Sequence, residues 1–257
     1  MLRAYRQPLG WKSLSALVLG VTVTACSQQP APATPESAAP AAAAAAPPSA
    51  DAAGPALVQH TGASVFVAHE VEDFAAFQKY FEEGAAKRAA AGIEGHVLTR
   101  LDSGKVVIHF FAPDVAKVQA ELNSESFQKY LSRKGAPDAS LVWVTRDEVV
   151  YLPAKPVTGP TFSLYLKRRT TDFARFRQEF EKHVPAFSKQ LVGFGLHQSA
   201  TQPDMAILHF VATTKAAVEA LPNQPELKEL MALTTEDVVK PLLGEDVSRS
   251  RAAAAKP

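Results

Sequence analysis

The stretch DFAAFQKYFE, residues 73–82, returns as DFARFRQEFE at residues 172–181. Asp73, Phe74, Ala75, Phe77, Phe81 and Glu82 are repeated as Asp172, Phe173, Ala174, Phe176, Phe180 and Glu181. The phenylalanines fall at i, i+3 and i+7, one face of a helix. The leading aspartate accepts hydrogen bonds from otherwise unpaired amides and complements the positive end of the helix dipole. Each copy therefore predicts a capped helix with a buried aromatic stripe, ended by Gly92 in the first copy and Gly193 in the second.

The duplication runs well beyond this helix. GIEGH at 92–96 answers GFGLH at 193–197, IHF at 108–110 answers LHF at 208–210, and NSESFQKYL from Asn123 answers NQPELKELM from Asn223. Two segments, 62–153 and 160–249, thus carry the same order of elements: strand, helix, strand, strand, helix, strand. SVFVAHEV and TFSLYLK read as first strands, and HVLTRL and KVVIHFFA flank the hairpin signal DSG. LVWVTRDEVVYL supplies a last strand in the first copy. In the second, DVVKPLLGEDV contains Pro241, which predicts a short or edge strand. This order builds an α+β fold, a four-stranded antiparallel sheet with both helices on one face. The other face is left bare, and two copies can cover each other.

The order of elements, the V-x-D-F-x-x-F opening at Val71–Phe77 and the N-x-x-E-L opening at Asn223–Leu227 resemble the dimeric α/β-barrel superfamily. That superfamily includes the antibiotic biosynthesis monooxygenase-like domains. The resemblance implies two ferredoxin-like βαββαβ repeats packed sheet to sheet as a fused dimeric α/β barrel, a pseudo-dimer within one chain. These are fold signatures and carry no catalytic residue across.

Polarity predicts what faces the barrel interior. Val106, Ile108 and Phe110 form an apolar side that should meet the helices, and Val97, Thr99 and Leu101 are the more apolar set on the preceding strand. Matching the two sets places Phe110 opposite Val97 across a two-residue Ser103-Gly104 turn. His96, Leu98 and Arg100 then share the interior with Val107, His109 and Phe111, and His197 and His209 take the corresponding places. Three uses of these histidines stay open: metal ligands, acid–base or binding groups in a small-molecule pocket, and hydrogen-bonded filling of the barrel. Diagonal strand neighbours ~7–8 Å apart close on one zinc only with a further ligand, and none is identifiable. No metal or cofactor is therefore assigned.

The N-terminal quarter has a different character. Residues 1–25 carry Arg3, Arg6 and Lys12 before the apolar run LSALVLGVTVTA, the pattern of an export signal. The run ends in VTAC, Val23–Cys26, which resembles the lipobox of bacterial lipoproteins. The resemblance implies lipidation of Cys26, the one cysteine of the chain, and a lipid-anchored envelope protein. Ser27 after the cysteine implies the outer membrane, facing the periplasm. Residues 26–58 are rich in alanine and proline and read as a disordered tether, and 250–257 as a disordered tail.

With 27 basic and 26 acidic residues in 257, nothing points to a nucleic-acid partner. No nucleophile motif, phosphate loop or paired-cysteine metal motif is present. The sequence reads first as a membrane-anchored lipoprotein whose double barrel binds a small, mostly apolar molecule or a protein partner. The alternative is a cofactor-independent monooxygenase-like or isomerase-like enzyme with the barrel histidines as proton-transfer groups.

Overall fold

The computed structural model describes residues 56–122, Glu125 and 141–251. The first repeat holds β1 (Leu57–His60), β2 (Ala63–Glu70), α1 (Phe74–Glu83), α2 (Ala85–Ala90), β3 (Gly95–Leu101), β4 (Lys105–Ala112), α3 (Val115–Leu122) and β5 (Leu141–Pro153). The second holds β6 (Thr161–Thr170), α4 (Phe173–Gln190), β7 (Gly193–Ser199), β8 (Met205–Ala212), α5 (Lys215–Ala220), α6 (Pro225–Met231) and β9 (Thr234–Arg251).

The repeated helices form as read. Asp73 Oδ1 accepts from the amide of Ala76 and Asp172 Oδ1 from that of Arg175, both at 3.0 Å. Phe77 and Phe81 are buried from α1, and Phe176, Phe180 and Phe187 from α4. Gly92 has a φ of +84°, and the chain closes there on α2 through the amide of Ile93 and the carbonyl of Arg88. Gly193 instead opens β7, because α4 ends on Leu191 in extended conformation. The Asn123 segment lies almost wholly outside the described residues; its partner at Asn223 leads into α6.

The nine strands among the described residues form one sheet in the order β1-β5-β2-β4-β3-β9-β6-β8-β7, and a further β5–β7 pairing closes it into a barrel. Two strands make the closure. β5 pairs with β2 of its own repeat from Leu141 to Arg146, and with β7 of the other from Thr145 to Tyr151. β9 pairs with its own β6 from Thr234 to Asp246, then with β3 from Gly244 to Arg251. The edges of the two repeats are thereby joined by hydrogen bonds, and their bare faces line one interior. β9 is long and central rather than the short or edge strand expected, and Pro241 is tolerated because it sits where the β6–β9 register shifts. β9 also runs through Ser250 and Arg251, into the expected tail, and β1 occupies the end of the expected tether.

Each crossover carries a bulge. Register shifts by one residue between Asp147 and Val149 in β5, and opposite Leu98–Thr99 in β9, where Asp246 and Ser248 flank the extra Val247. In β5, Trp143 belongs to the interior cluster on one side of the bulge, and Val150 and Leu152 on the other. Inward positions thus change from odd to even, while Val149 and Tyr151 pack in the helical layer of the second repeat.

At Gly244 a Cβ would lie 2.2 Å from the carbonyl oxygen of Arg100, so only glycine lets β9 approach β3. Gly104 has open space around it but a φ of +81°. We expect Gly244→Ala to cost about 3 kcal/mol, from forced backbone displacement, and Gly104→Ala about 1 kcal/mol, from its torsion alone. Urea midpoints at unchanged m-value measure both.

Candidate functional site

The β3–β4 hairpin decides which histidines face inward. Val97 pairs with His109 and His96 with Phe110, one residue away from the expected register. The turn has three residues, Asp102-Ser103-Gly104, with the Gly104 amide donating to Leu101 O at 3.0 Å. Its left-handed Gly104 suits a three-residue hairpin turn. Because side chains alternate, that single residue reverses every assignment on β3. Val97 and Leu101 belong to the interior, whereas Leu98 packs with Val106, Ile108 and Phe110 against α1.

His96 and Arg100 are therefore outside the barrel. The His96 ring lies 4.8 Å edge-on from Phe81, with hydrogen bonds to the hydroxyls of Ser248 and Ser250 at 3.1 and 2.7 Å. Burial, then the nearby Arg88 charge, push its pKa down to about 4. Arg100 is half exposed, 3.4 Å from Glu245 and beneath the ring of Phe74. In the second repeat Gly195, not Leu196, faces His209, so His197 and His209 do share the interior.

His109, His197 and His209 meet at the centre, each 0–1 % exposed. The His109 ring is 5.4 Å from His197 and 4.9 Å from His209, edge to face in both cases. The repeat is visible in what surrounds them. His109 Nε2 is 2.9 Å from the Ser64 hydroxyl and its ring stacks on Phe66; His209 Nε2 is 3.3 Å from Ser163 and stacks on Tyr165. Trp143 walls the same space, with the Lys167 ammonium 4.8 Å from its ring. The next two cations of β6 are partnered on neighbouring segments, Arg168 with Thr234 at the start of β9 and Arg169 with Asp204 just before β8.

His60 completes the interior set. Asp147, on the inward side of the β5 bulge, accepts from His197 Nδ1 at 2.7 Å and from His60 Nδ1 at 2.9 Å. Burial works to raise the Asp147 pKa, but His197 beside it and hydrogen bonds from His197, His60 and Ser64 outweigh this. The carboxyl is held well below the usual carboxylate range. Asp246 occupies the equivalent place in β9, where it accepts from Thr99 at 2.7 Å and Thr161 at 3.0 Å and pairs with Arg249. Thr99 in turn lies 2.8 Å from the Tyr165 hydroxyl, whose pKa burial and the Asp246 charge push up. Sequence reasoning missed Asp147 and Asp246; the signal available was their common position in the two repeats.

Three ring nitrogens in this space are buried with no hydrogen-bond partner: His109 Nδ1, His197 Nε2 and His209 Nδ1. A carboxylate is acceptor-only, so His197 donates Nδ1–H to Asp147 and its Nε2 is turned into the barrel. Gly195 makes room for that atom; a Cβ there would stand 2.9 Å from it. Burial first, then the neighbouring histidines, hold His109 well below the ordinary histidine range, and burial followed by His197 does the same for His209. The barrel thus presents two imidazoles kept neutral, His109 and His209, beside a third, His197, that is oriented by a carboxylate. No three barrel imidazoles bring donor atoms within 4.8 Å of one another.

The architecture is that of a dimeric α/β barrel fused into one chain. No family profile and no curated protein matches the sequence. Among solved structures it is similar to a monooxygenase candidate from Fusobacterium nucleatum, with a TM-score of 0.57 and 10% identity over 74% of this chain and 94% of that one. A monooxygenase candidate from Lactobacillus acidophilus gives 0.54 and 12% over 75% and 97%. An anthrone oxidase-like protein gives 0.52 and 14% over 78% and 100%. Each match takes in both repeats, and at these identities the likeness is one of fold.

The buried histidines set the acid limit of the fold. His109 and His209 stay neutral when folded but protonate near pH 6.5 when unfolded. Below that pH the unfolded state binds more protons, so their contribution is full above pH ~6.5 and is lost as pH falls, by about 1.4 kcal/mol per pH unit for each. Asp147 adds a further loss below pH ~3.9, where its unfolded-state carboxyl protonates. Urea midpoints at pH 7.5 and 5.5 should show this slope, and His209→Gln should make it shallower.

Proposed function

We propose that the barrel is the active site of an enzyme that moves protons on a small, mostly apolar molecule, as an isomerase or a cofactor-independent oxygenase does. The observation that carries this is the trio of buried, unpaired imidazole nitrogens, with His197 held by Asp147. His197 Nε2 takes a proton from an acidified C–H of the substrate, and the imidazolium is stabilised by the carboxylate at Nδ1. Returning the proton to a neighbouring carbon completes an isomerisation. Where dioxygen is the co-substrate, the carbanion adds it and the proton goes to the peroxide oxygen, leaving a hydroperoxide. Phe66, Trp143, Val107 and Ile207 provide the apolar wall.

Anthrone is a suitable probe, being apolar with an acidic methylene. With the full-length chain in detergent, we expect deuterium exchange at that methylene under nitrogen and oxygen uptake in air. Both should fall about 100-fold or more in His197→Gln and Asp147→Asn, the scale of a lost acid–base group. Rates equal to the protein-free background, or equal in the variants, defeat the proposal.

The complete burial of the three rings favours a second reading: a non-catalytic barrel that binds a small apolar ligand or a protein partner. Retained ligand in native mass spectra together with no exchange would select it. In both readings the chain is held at the envelope through lipidated Cys26. Cys26→Ser should abolish palmitate-analogue labelling and move the protein from the membrane to the soluble fraction.

A further inference from the structure

We propose that Glu179, His183 and Glu229 form a binding site for one zinc ion that ties α4 to α6, on the helical side of the second repeat and away from the barrel interior. Glu179 and His183 are four apart on α4 and so share a face of the helix. Glu229 comes from α6.

The distances are those of a coordination shell rather than of hydrogen bonds. His183 Nε2 lies 3.5 Å from Glu179 Oε1 and 3.4 Å from Glu229 Oε2, and it has no hydrogen-bond partner although the atom is buried. Zinc binds imidazole nitrogen at ~2.0–2.1 Å and carboxylate oxygen at ~2.0–2.2 Å, which makes the edges of its tetrahedron roughly 3.3–3.5 Å. All three donor atoms lie within 4.8 Å of one another. His183 is 14 % and Glu179 22 % exposed, so two ligands are fixed by packing, whereas Glu229 at 62 % is free to swing onto the ion. Lys182 holds the other oxygen of Glu179, Oε2, at 2.5 Å and leaves Oε1 turned towards His183.

The donor set also chooses the metal. One imidazole with two carboxylates suits zinc and other first-row ions. Calcium and magnesium want a fuller oxygen shell than two carboxylates supply. Three protein donors leave the fourth position to water, the open form of a zinc site. The ion neutralises two carboxylates on facing helices and, by binding only the folded state, raises its stability.

The test is zinc titration of the full-length chain in detergent against a chromogenic chelator, with calcium and magnesium as comparison ions. We expect one zinc per chain, no competition from calcium or magnesium, and a rise in the unfolding midpoint. His183→Ala and Glu229→Gln should each weaken binding by about 10- to 100-fold or more, since even supporting groups around a metal are worth that much. Glu229 is exposed, so its amide variant tests the site without disturbing the fold. Cobalt in place of zinc should show the visible bands of a tetrahedral ion in the wild type and lose them in His183→Ala. A zinc stoichiometry of one that survives both substitutions, or no binding at micromolar zinc, overturns the proposal.

Discussion

The structure depends on two strands that each serve two sheets. β5 and β9 begin against a strand of their own repeat and finish against a strand of the other. Without that change of partner, each repeat would be an open sheet with an apolar face in water and unpaired edges. With it, the eight strands of the two repeats close, and β1 only lengthens the edge that β2 offers to β5. The change of partner also fixes the bulges. In each strand the change of partner coincides with a reversal of which side chains point inward. One extra residue, Glu148 or Val247, makes that reversal.

The bulges place the buried carboxylates. Asp147 and Asp246 are the last inward residues before each reversal, and both side chains are shut off from solvent. A buried carboxylate needs several donors to stay ionised. Asp147 finds imidazoles from β1 and β7 and a hydroxyl from β2; Asp246 finds threonines from β3 and β6 and an arginine of its own strand. The donors come from both repeats, so the hydrogen-bond set of each carboxylate is complete only when the barrel is closed.

The legible part of the sequence was what is local and repeated. Capped helices, aromatic stripes and the order of elements follow from Asp73 and Asp172 and the spacing of the phenylalanines, and the need for two copies follows from the bare sheet. What could not be read turned on single residues. Asp102-Ser103-Gly104 has the composition of a two- or a three-residue turn, and the choice between them moved His96 and Arg100 from the interior to the helical side. The match of GIEGH to GFGLH paired His96 with His197, although the registers make Gly95 equivalent to Gly193 and Thr99 equivalent to His197. Asp147 escaped notice because alternation counted along β5 fails at the bulge, and His60 because it borders a proline-rich stretch.

Duplication left two copies of one device, and they have diverged. Ser64, Phe66 and His109 on one side match Ser163, Tyr165 and His209 on the other. Beside the second set, Asp246 is satisfied by hydroxyls and an arginine, and its partner chain ends at the Tyr165 hydroxyl, which burial keeps protonated. Beside the first, Asp147 is satisfied chiefly by imidazoles. That difference decides where a proton can go. A proton arriving at His109 or His209 would create a cation in a low-dielectric space with no facing carboxylate in contact. A proton arriving at His197 creates a cation already hydrogen-bonded to an anion, so charge separation is only across 2.7 Å. In the proton transfer proposed for the barrel, His197 Nε2 is therefore the base among the three unpartnered ring nitrogens, and His109 and His209 are neutral partners that shape the space around it.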